Sequence, residues 1–141
     1  MQKEIVESVL KLEKMAFEEI TYSRDINSRE KGIDYEMNFS RSITACEDGE
    51  KYKVSLTANV WSKNTETIKL IVTLTGIFSC ECEDESLKNE LLRYNTVAIL
   101  FPYVRSQISL VSTQPDIAPI SFPPVNIVAM FKEVDQRGEP N

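Results

Sequence analysis

Apolar and polar residues alternate along three stretches in the first half of the chain, and this alternation predicts β-strands. Residues 35–43, 52–60 and 68–75 place apolar side chains at alternate positions, between residues such as Glu, Asn, Lys and Thr. Because successive side chains of a strand point to opposite faces, each strand would have one buried and one more polar face. The polar connectors at 47–50 and 62–64 are short enough for hairpins.

Residues 10–22 also alternate, but the phase slips around Ala16-Phe17, which predicts a β-bulge within a strand. The rival interpretation is a helix over residues 2–19, which are rich in Glu, Lys and Leu. Propensity and periodicity do not separate these two interpretations. A longer polar loop at residues 24–31 follows either element.

Helical spacing replaces the alternation after Cys82. The acidic residues 83–85 and Ser86, which can cap a helix, precede leucines at helical spacing. Residues 98–111, AILFPYVRSQISLV, are also helical in period, and Pro102 predicts that this helix begins nearby or bends there.

The last part of the chain combines a proline-rich loop with a short helix. Residues 114–124 hold four prolines and must be extended, although their apolar residues are unusual for a solvated linker. Asn126 can cap a last helix that carries apolar residues along one side. We expect a flexible tail at 135–141.

Together these elements predict an α+β fold. It consists of a four-stranded antiparallel sheet, a β-meander with its strands in sequence order, followed by helices packed on one face. The length of 141 residues indicates a single domain over residues 1–141, with its core at about 10–134.

Composition narrows the class of protein. The net charge of −6 argues against a nucleic-acid partner, since phosphate binding needs a basic surface. Residues 1–20 mix charges among the apolar positions, so we expect no signal peptide, and no apolar run reaches the roughly 20 residues of a membrane helix. The three cysteines suit a reducing compartment. We therefore expect a cytoplasmic protein without membrane insertion.

Residues for catalysis are scarce. The chain has no histidine, so a histidine base or triad is excluded. Cys80 and Cys82 could form half of a metal site, but two strand cysteines that pack on one face are the simpler interpretation. We expect no enzyme, no cofactor and no metal. The surplus of apolar residues instead suggests an oligomer or a binding groove, with an ordinary core as the alternative.

Three motifs resemble the SecB family of protein-export chaperones. They are GIFS at 76–79, ILFPYVR at 99–105 and FPPVNI at 122–127. In the family, the corresponding motifs are a GIFS-like strand end, an ILFPYAR-like helix, and a proline-rich loop that leads into an APVNF-like helix start. The three motifs of this chain occur in the same order, and the distances between them along the chain fit the family. Residues 10–22 resemble the family's first strand without a gap, which favours a strand there. The resemblance covers about residues 10–132.

The resemblance implies clients that are unfolded polypeptides, held without ATP in apolar grooves, so that their folding is delayed by mass action. The client-binding residues implied by the family pattern are Tyr35, Met37, Phe39, Ile117, Ile120 and Phe122. Alternatively, the strand residues belong to the core and the loop covers the helices. The resemblance also implies a homo-oligomer, a dimer of dimers, with first strands paired and long helices between two sheets. Its implied interface residues are Leu10, Leu12, Leu100, Tyr103 and Ile108.

One departure from the family concerns its partner, the motor SecA. SecB proteins dock on SecA partly through acidic residues of the flat sheet face. The matching positions here are Glu19, Ser23, Lys69 and Ile71, of which Glu19 alone is acidic. This weakens the match to a basic motor tail. Three hypotheses follow: a holdase for preproteins destined for export, a chaperone dedicated to the antitoxin of a toxin–antitoxin system, or a structural oligomer without a client groove.

Overall fold

A computed structural model describes residues 9–27, 34–63, 67–115, 119–122 and 125–138 of the chain. Four strands form one antiparallel sheet: β1 (Leu10–Arg24), β2 (Tyr35–Ala45), β3 (Lys51–Ser62) and β4 (Ile68–Cys80). The helices that follow are α1 (Glu85–Glu90), a π-helical turn (Leu91–Asn95), α2 (Thr96–Val111) and α3 (Ile127–Gln136). The prediction of a four-stranded antiparallel sheet followed by helices is confirmed.

The order of the strands differs from a simple meander. The sheet runs β1-β4-β3-β2, so β2, β3 and β4 form the meander while β1 pairs with β4. Alternation decides which face of a strand is buried, but it does not determine the neighbouring strand.

β1 contains two bulges, where its register with β4 shifts between Leu12 and Lys14 and again between Phe17 and Glu19. The second confirms the predicted slip around Ala16-Phe17; the first was not predicted. At each bulge the extra residue is a glutamate bonded to a hydroxyl group of β4: Ser79 donates to Glu13 at 3.0 Å and Thr75 donates to Glu18 at 2.5 Å. The bulges thereby keep the apolar residues of β1 on the core side.

The helix boundaries correct three predictions. Asp84, rather than Ser86, caps α1: its carboxylate accepts from the backbone N–H groups of Ser86 and Leu87. A carboxylate is favoured over a hydroxyl at the positive end of a helix. The long helix begins at Thr96 and continues through Pro102, whose ring lies on the exposed side. The predicted boundary of the flexible tail, at residue 135, is too early, because Asp135 belongs to α3 and makes buried contacts.

The core lies between α2 and the inner face of the sheet, which we define as the face that packs against the helices. Its fully buried members include the following residues of β3, β4 and α2: Val54, Leu56, Leu70, Val72, Phe78, Leu100, Val104 and Ile108. Gly76 of β4 is buried next to the Leu100 side chain of α2. A Cβ atom there would be 2.7 Å from the Phe78 ring and 3.2 Å from the Leu100 side chain.

We expect Gly76→Ala to lower the free energy of unfolding by about 1–3 kcal/mol, because the added methyl overpacks this contact. The loss should exceed any gain from a stiffer unfolded chain, which is about 0.4–1 kcal/mol. Urea unfolding followed by circular dichroism measures it. Ser79→Ala, on the opposite face of the same strand, is the control and should change stability by less than about 0.5 kcal/mol. Equal stability of Gly76→Ala and the unmodified protein would contradict the close approach.

Candidate functional site

β2 carries a row of apolar side chains on the inner face that the helices only partly cover. Tyr35, Met37, Phe39 and Ile43 are all half-buried, whereas the inner-face residues of β3 next to them are fully buried. The half-buried row is an apolar surface along β2 that the helices and the loop after α2 leave partly open. We call it the β2 groove.

Three phenylalanine rings meet at the middle of this groove. Phe39 lies edge-to-face against Phe101 of α2 at 5.6 Å and against Phe122 of the loop at 6.1 Å. The rings of Phe101 and Phe122 stack at 6.4 Å. These arrangements are the favourable ones for aromatic pairs. Phe101 and Phe122 are buried while Phe39 is half-buried, so Phe39 is the member of the cluster that stays partly accessible.

The loop after α2 is held against the helix by hydrogen bonds to Ile120. The Ile120 N–H donates to the buried Ser112 hydroxyl oxygen at 2.8 Å, and the Ser109 hydroxyl donates to the Ile120 carbonyl at 3.3 Å. Ile120 itself is buried. This part of the loop is therefore a fixed wall of the groove.

A buried ionic cluster interrupts the β2 groove between Phe39 and Ile43. Arg41 of β2 places Nη2 at 2.5 and 2.6 Å from the carboxylate oxygens of Asp135 in α3, and its Nη1 donates to the Arg93 carbonyl at 2.8 Å. The guanidinium also lies over the Phe131 ring at 4.6 Å. Tyr94 donates to Asp135 at 2.6 Å, and this hydrogen bond raises the pKa of Tyr94 above its ordinary value. The cluster joins β2, the π-helical turn and α3.

Tyrosine and arginine side chains lie at the other end of the groove. Burial is the main reason that the pKa of Tyr35 is raised, and the nearby phenol of Tyr22 adds to it. Arg24 donates to the carbonyl of Pro115, at the start of the loop, at 3.1 Å. The apolar part of the groove that runs from Tyr35 to Phe39 thus has polar groups on both sides.

The structure brings together most residues expected at a client site. Tyr35, Met37 and Phe39 share the floor, and Phe122 contacts Phe39 directly. Ile120 is a buried part of the wall and offers little surface. Ile117 lies outside the described residues. The role of all six in binding stays a prediction.

Two residues of the site were missed from the sequence. Phe101 lies in the ILFPYVR motif, where helical period alone did not distinguish the core from the groove. Arg41 interrupts the apolar alternation of β2 between Phe39 and Ile43, and a charge at an inward position is a signal of a buried partner.

The positions matched to the SecA-facing surface share the outer face of the sheet, which lies opposite the helices of the described residues. Ser23 pairs with Lys69, and Glu19 and Ile71 lie on the same face. The centre of this face is an array of polar side chains bonded to one another, with Ser55 and Thr75 at 2.7 Å and Thr57 and Thr73 at 2.8 Å. The four positions therefore belong to one surface, and that surface is not an acidic one.

The residues expected at an oligomer interface divide by burial. Leu10, Leu100 and Ile108 are buried within the single chain, so we revise their role to core residues. Leu12 is half-buried, and Tyr103 on the outward side of α2 is 48% exposed. The same side of α2 also exposes Ile99 and Leu110, two large apolar residues that sequence reasoning did not single out.

The cysteines differ from the expected pair of strand residues. Cys80 ends β4 in the core, and its burial raises the pKa of its thiol, so the thiolate is disfavoured. Cys82 lies beyond the end of the strand, half-buried, where its thiol contacts the Asp84 carbonyl at 3.5 Å. None of the helices in the described ranges combines the length and hydropathy of a membrane span.

Residues 5–138 match the protein family described as "Preprotein translocase subunit SecB". The chain is 34% identical over 74 residues to the uncharacterised protein MJ0357 of Methanocaldococcus jannaschii, a match over 52% of this chain and 48% of that protein. The matched part is thus about half the length of that relative.

Among solved structures, the chain resembles the Rv1957 SecB-like chaperone of Mycobacterium tuberculosis in complex with a ChAD peptide from the Rv1956 HigA1 antitoxin. The TM-score is 0.70 at 12% identity, over 84% of this chain and 92% of that chain. At this identity the likeness concerns the fold.

Proposed function

The chain belongs to the SecB family, and on that premise we propose that it is an ATP-independent cytoplasmic holdase that binds unfolded polypeptides in the β2 groove. The observation that supports this most directly is the half-buried apolar row of β2 beside the three phenylalanine rings. Apolar grooves bind many sequences with low specificity, and the flexible side chain of Met37 suits such a surface. A purely structural oligomer would instead bury this row in its own core.

We expect the protein to slow the refolding of a chemically denatured model enzyme when present in stoichiometric amounts. A holdase binds the unfolded state and shifts the equilibrium by mass action, so neither ATP nor turnover is needed. The measurement is the recovery of enzyme activity after dilution from denaturant, with bovine serum albumin at equal mass as the control. Unchanged refolding at excess protein would contradict the proposal.

Clients of the proposed holdase are preproteins destined for export, or alternatively the antitoxin of a toxin–antitoxin pair. The antitoxin alternative is supported by the neutral character of the outer face, where Glu19 alone is acidic among the four matched positions. It is also compatible with the likeness in fold to a chaperone that holds an antitoxin peptide. Affinity purification from the native host separates the two: recovery of SecA without a small toxin–antitoxin partner would contradict the antitoxin role.

We further propose that the chain assembles as a dimer of dimers. The outward side of α2 exposes Ile99, Tyr103 and Leu110, the last by 67%, and exposed apolar stripes of this kind are typical of oligomer interfaces. Tyr103→Asp would place a charge in this stripe and should lower the mass measured by light scattering. A monomeric mass for the unmodified protein would contradict the assembly.

A further inference from the structure

Two exposed cations lie at the surface of the ionic cluster that interrupts the β2 groove. Arg93 of the π-helical turn brings Nη1 to 3.6 Å from the Asp135 carboxylate. Lys132 of α3 places its ammonium 5.1 Å from the centre of the Tyr94 ring. The side chain of Arg93 is 50% exposed and that of Lys132 is 46% exposed. The buried part of the cluster therefore continues into a cationic surface.

The charges of this cluster do not cancel. In the described part of the chain, its ion pairs join three cations, Arg41, Arg93 and Lys132, to two carboxylates, Asp135 and Glu90. Arg41 and Asp135 neutralise each other in the interior, and Lys132 pairs loosely with Glu90 at 4.0 Å. The excess positive charge is thus on the exposed Arg93 guanidinium, although the whole chain carries a net charge of −6.

The Arg93 guanidinium retains hydrogen-bonding capacity. At 3.6 Å its Nη1 is too far from Asp135 for a hydrogen bond. The Asp135 carboxylate instead accepts close bonds from Arg41 and Tyr94. A guanidinium has five N–H donors in a planar fork that matches a carboxylate. Arg93 can therefore bind a second carboxylate without losing a strong bond within the chain.

The cluster is close enough to the aromatic centre of the groove for one client segment to contact both. Arg41 follows Phe39 by two residues on the inner face of β2, a step of about 6.6 Å. The Arg41 guanidinium donates to the Arg93 backbone carbonyl and shares the Asp135 carboxylate with the Arg93 side chain. An extended client with an apolar residue against Phe39 therefore brings a residue about two to four positions further along close to Arg93.

We infer that Arg93 determines specificity by binding a carboxylate side chain of the client, with Lys132 beside it. This inference rests on the proposed function and names the class of client: extended segments in which Asp or Glu lies a few residues from an apolar run. The local positive charge opposes the net charge of the chain, which by itself repels acidic polypeptides. Acidic clients are thus selected by one site and not by the overall charge.

The test compares two fluorescein-labelled peptides by fluorescence anisotropy. Each has a run of alternating leucine and threonine residues, flanked at both ends by two glutamates in one peptide and by two glutamines in the other. Acids at both ends bring one pair near Arg93 in either direction of the peptide. At low ionic strength we expect the glutamate peptide to bind about three- to tenfold more tightly. In about 1 M sodium chloride, which screens exposed charges, the difference should fall below about twofold.

The net charge of the chain predicts the opposite order, because it repels the glutamate peptide. Equal binding of the two peptides, or tighter binding of the glutamine peptide, would overturn the inference and leave the holdase proposal intact. If neither peptide binds, the proposed function fails, and the inference fails with it. The two failures are therefore distinguishable.

A charge-neutralising variant locates the site. Arg93→Gln changes a half-exposed side chain, so the protein should stay folded, which circular dichroism checks. We expect the preference for the glutamate peptide to fall below about twofold, while the glutamine peptide binds as before. Lys51→Gln removes an exposed charge on the outer face and should keep the preference. A preference that persists in Arg93→Gln would contradict the assignment to Arg93.

Arg93→Lys replaces Arg93→Gln if the glutamine variant does not fold. Lysine keeps the positive charge beside Asp135 but lacks the planar fork, so the preference for the glutamate peptide should fall by about twofold or more. An unchanged preference in Arg93→Lys would exclude recognition by the guanidinium fork and contradict the inference.

Discussion

Replacing Asp135 with alanine is expected to lower the free energy of unfolding by about 3–5 kcal/mol, because it leaves the Arg41 guanidinium buried without its carboxylate. The Arg41 side chain is 0% exposed and that of Asp135 is 10% exposed, so water cannot take over the lost interaction. Tyr94 would lose the acceptor of its hydrogen bond at the same time. Since the cluster joins β2 to α3, the variant should also lose order at the C-terminal helix.

Equilibrium unfolding in urea measures this loss, and Glu90→Gln is a matched control. Glu90 pairs with Lys132 of the same helix α3 at 4.0 Å, but both side chains are about half exposed, so its removal should change stability by less than about 1 kcal/mol. The double variant Arg41→Met with Asp135→Ala should be more stable than Asp135→Ala alone, because no buried charge remains. A loss below about 1 kcal/mol for Asp135→Ala would show that the cluster contributes little.

Phe39→Asp is expected to abolish most client capture, with affinity for an unfolded polypeptide reduced by at least about tenfold. The substitution removes the ring that the aromatic cluster presents to the groove and introduces a carboxylate beside Phe101 and Phe122. An apolar client segment would then have to desolvate this charge. Loss of the holdase effect on refolding, with an unchanged oligomer mass, is the predicted outcome.

Ser40→Asp is the matched control for this experiment. Ser40 is the next residue of β2, but its side chain is exposed on the outer face, so the same new charge points away from the groove. It should capture clients as well as the unmodified protein does. If Phe39→Asp is folded, keeps its oligomeric mass and still slows refolding, the β2 groove is not the client site.

The part of the candidate site that could be predicted from the sequence is the part that follows the apolar–polar alternation of a strand. Alternation along β2 identified Tyr35, Met37 and Phe39 as residues of one face. The resemblance to the SecB family implied a client-binding role for them and for Ile117, Ile120 and Phe122 of the loop. The contact between Phe39 and Phe122 depends on how the loop returns over α2. That path is set by the bonds of Ser109 and Ser112 to Ile120, which no local pattern reveals.

Other parts of the fold depend on choices between partners that are distant in the chain. Local sequence left strand and helix open for β1, and the resemblance to the SecB family favoured the strand. Its pairing with β4 rather than β2 is a choice between two edges that are distant in the chain. Likewise, Leu100, Ile108 and Tyr103 are all apolar or aromatic residues of α2, and the helix alone does not show which of them is buried. The position of the sheet decides that Leu100 and Ile108 are core residues and that Tyr103 is exposed.

The sequence by itself determined the succession of strands and helices, the side of each strand that is apolar, and the motifs of the SecB family, because these depend on local periodicity and on residue identity. The tertiary structure alone decided that β2 is an edge strand, that Arg41 contacts Asp135, and that the phenylalanines of three separate segments form one cluster. The reason is physical. Burial and pairing are properties of surfaces that meet in space, and residues far apart in the chain contribute to each of them.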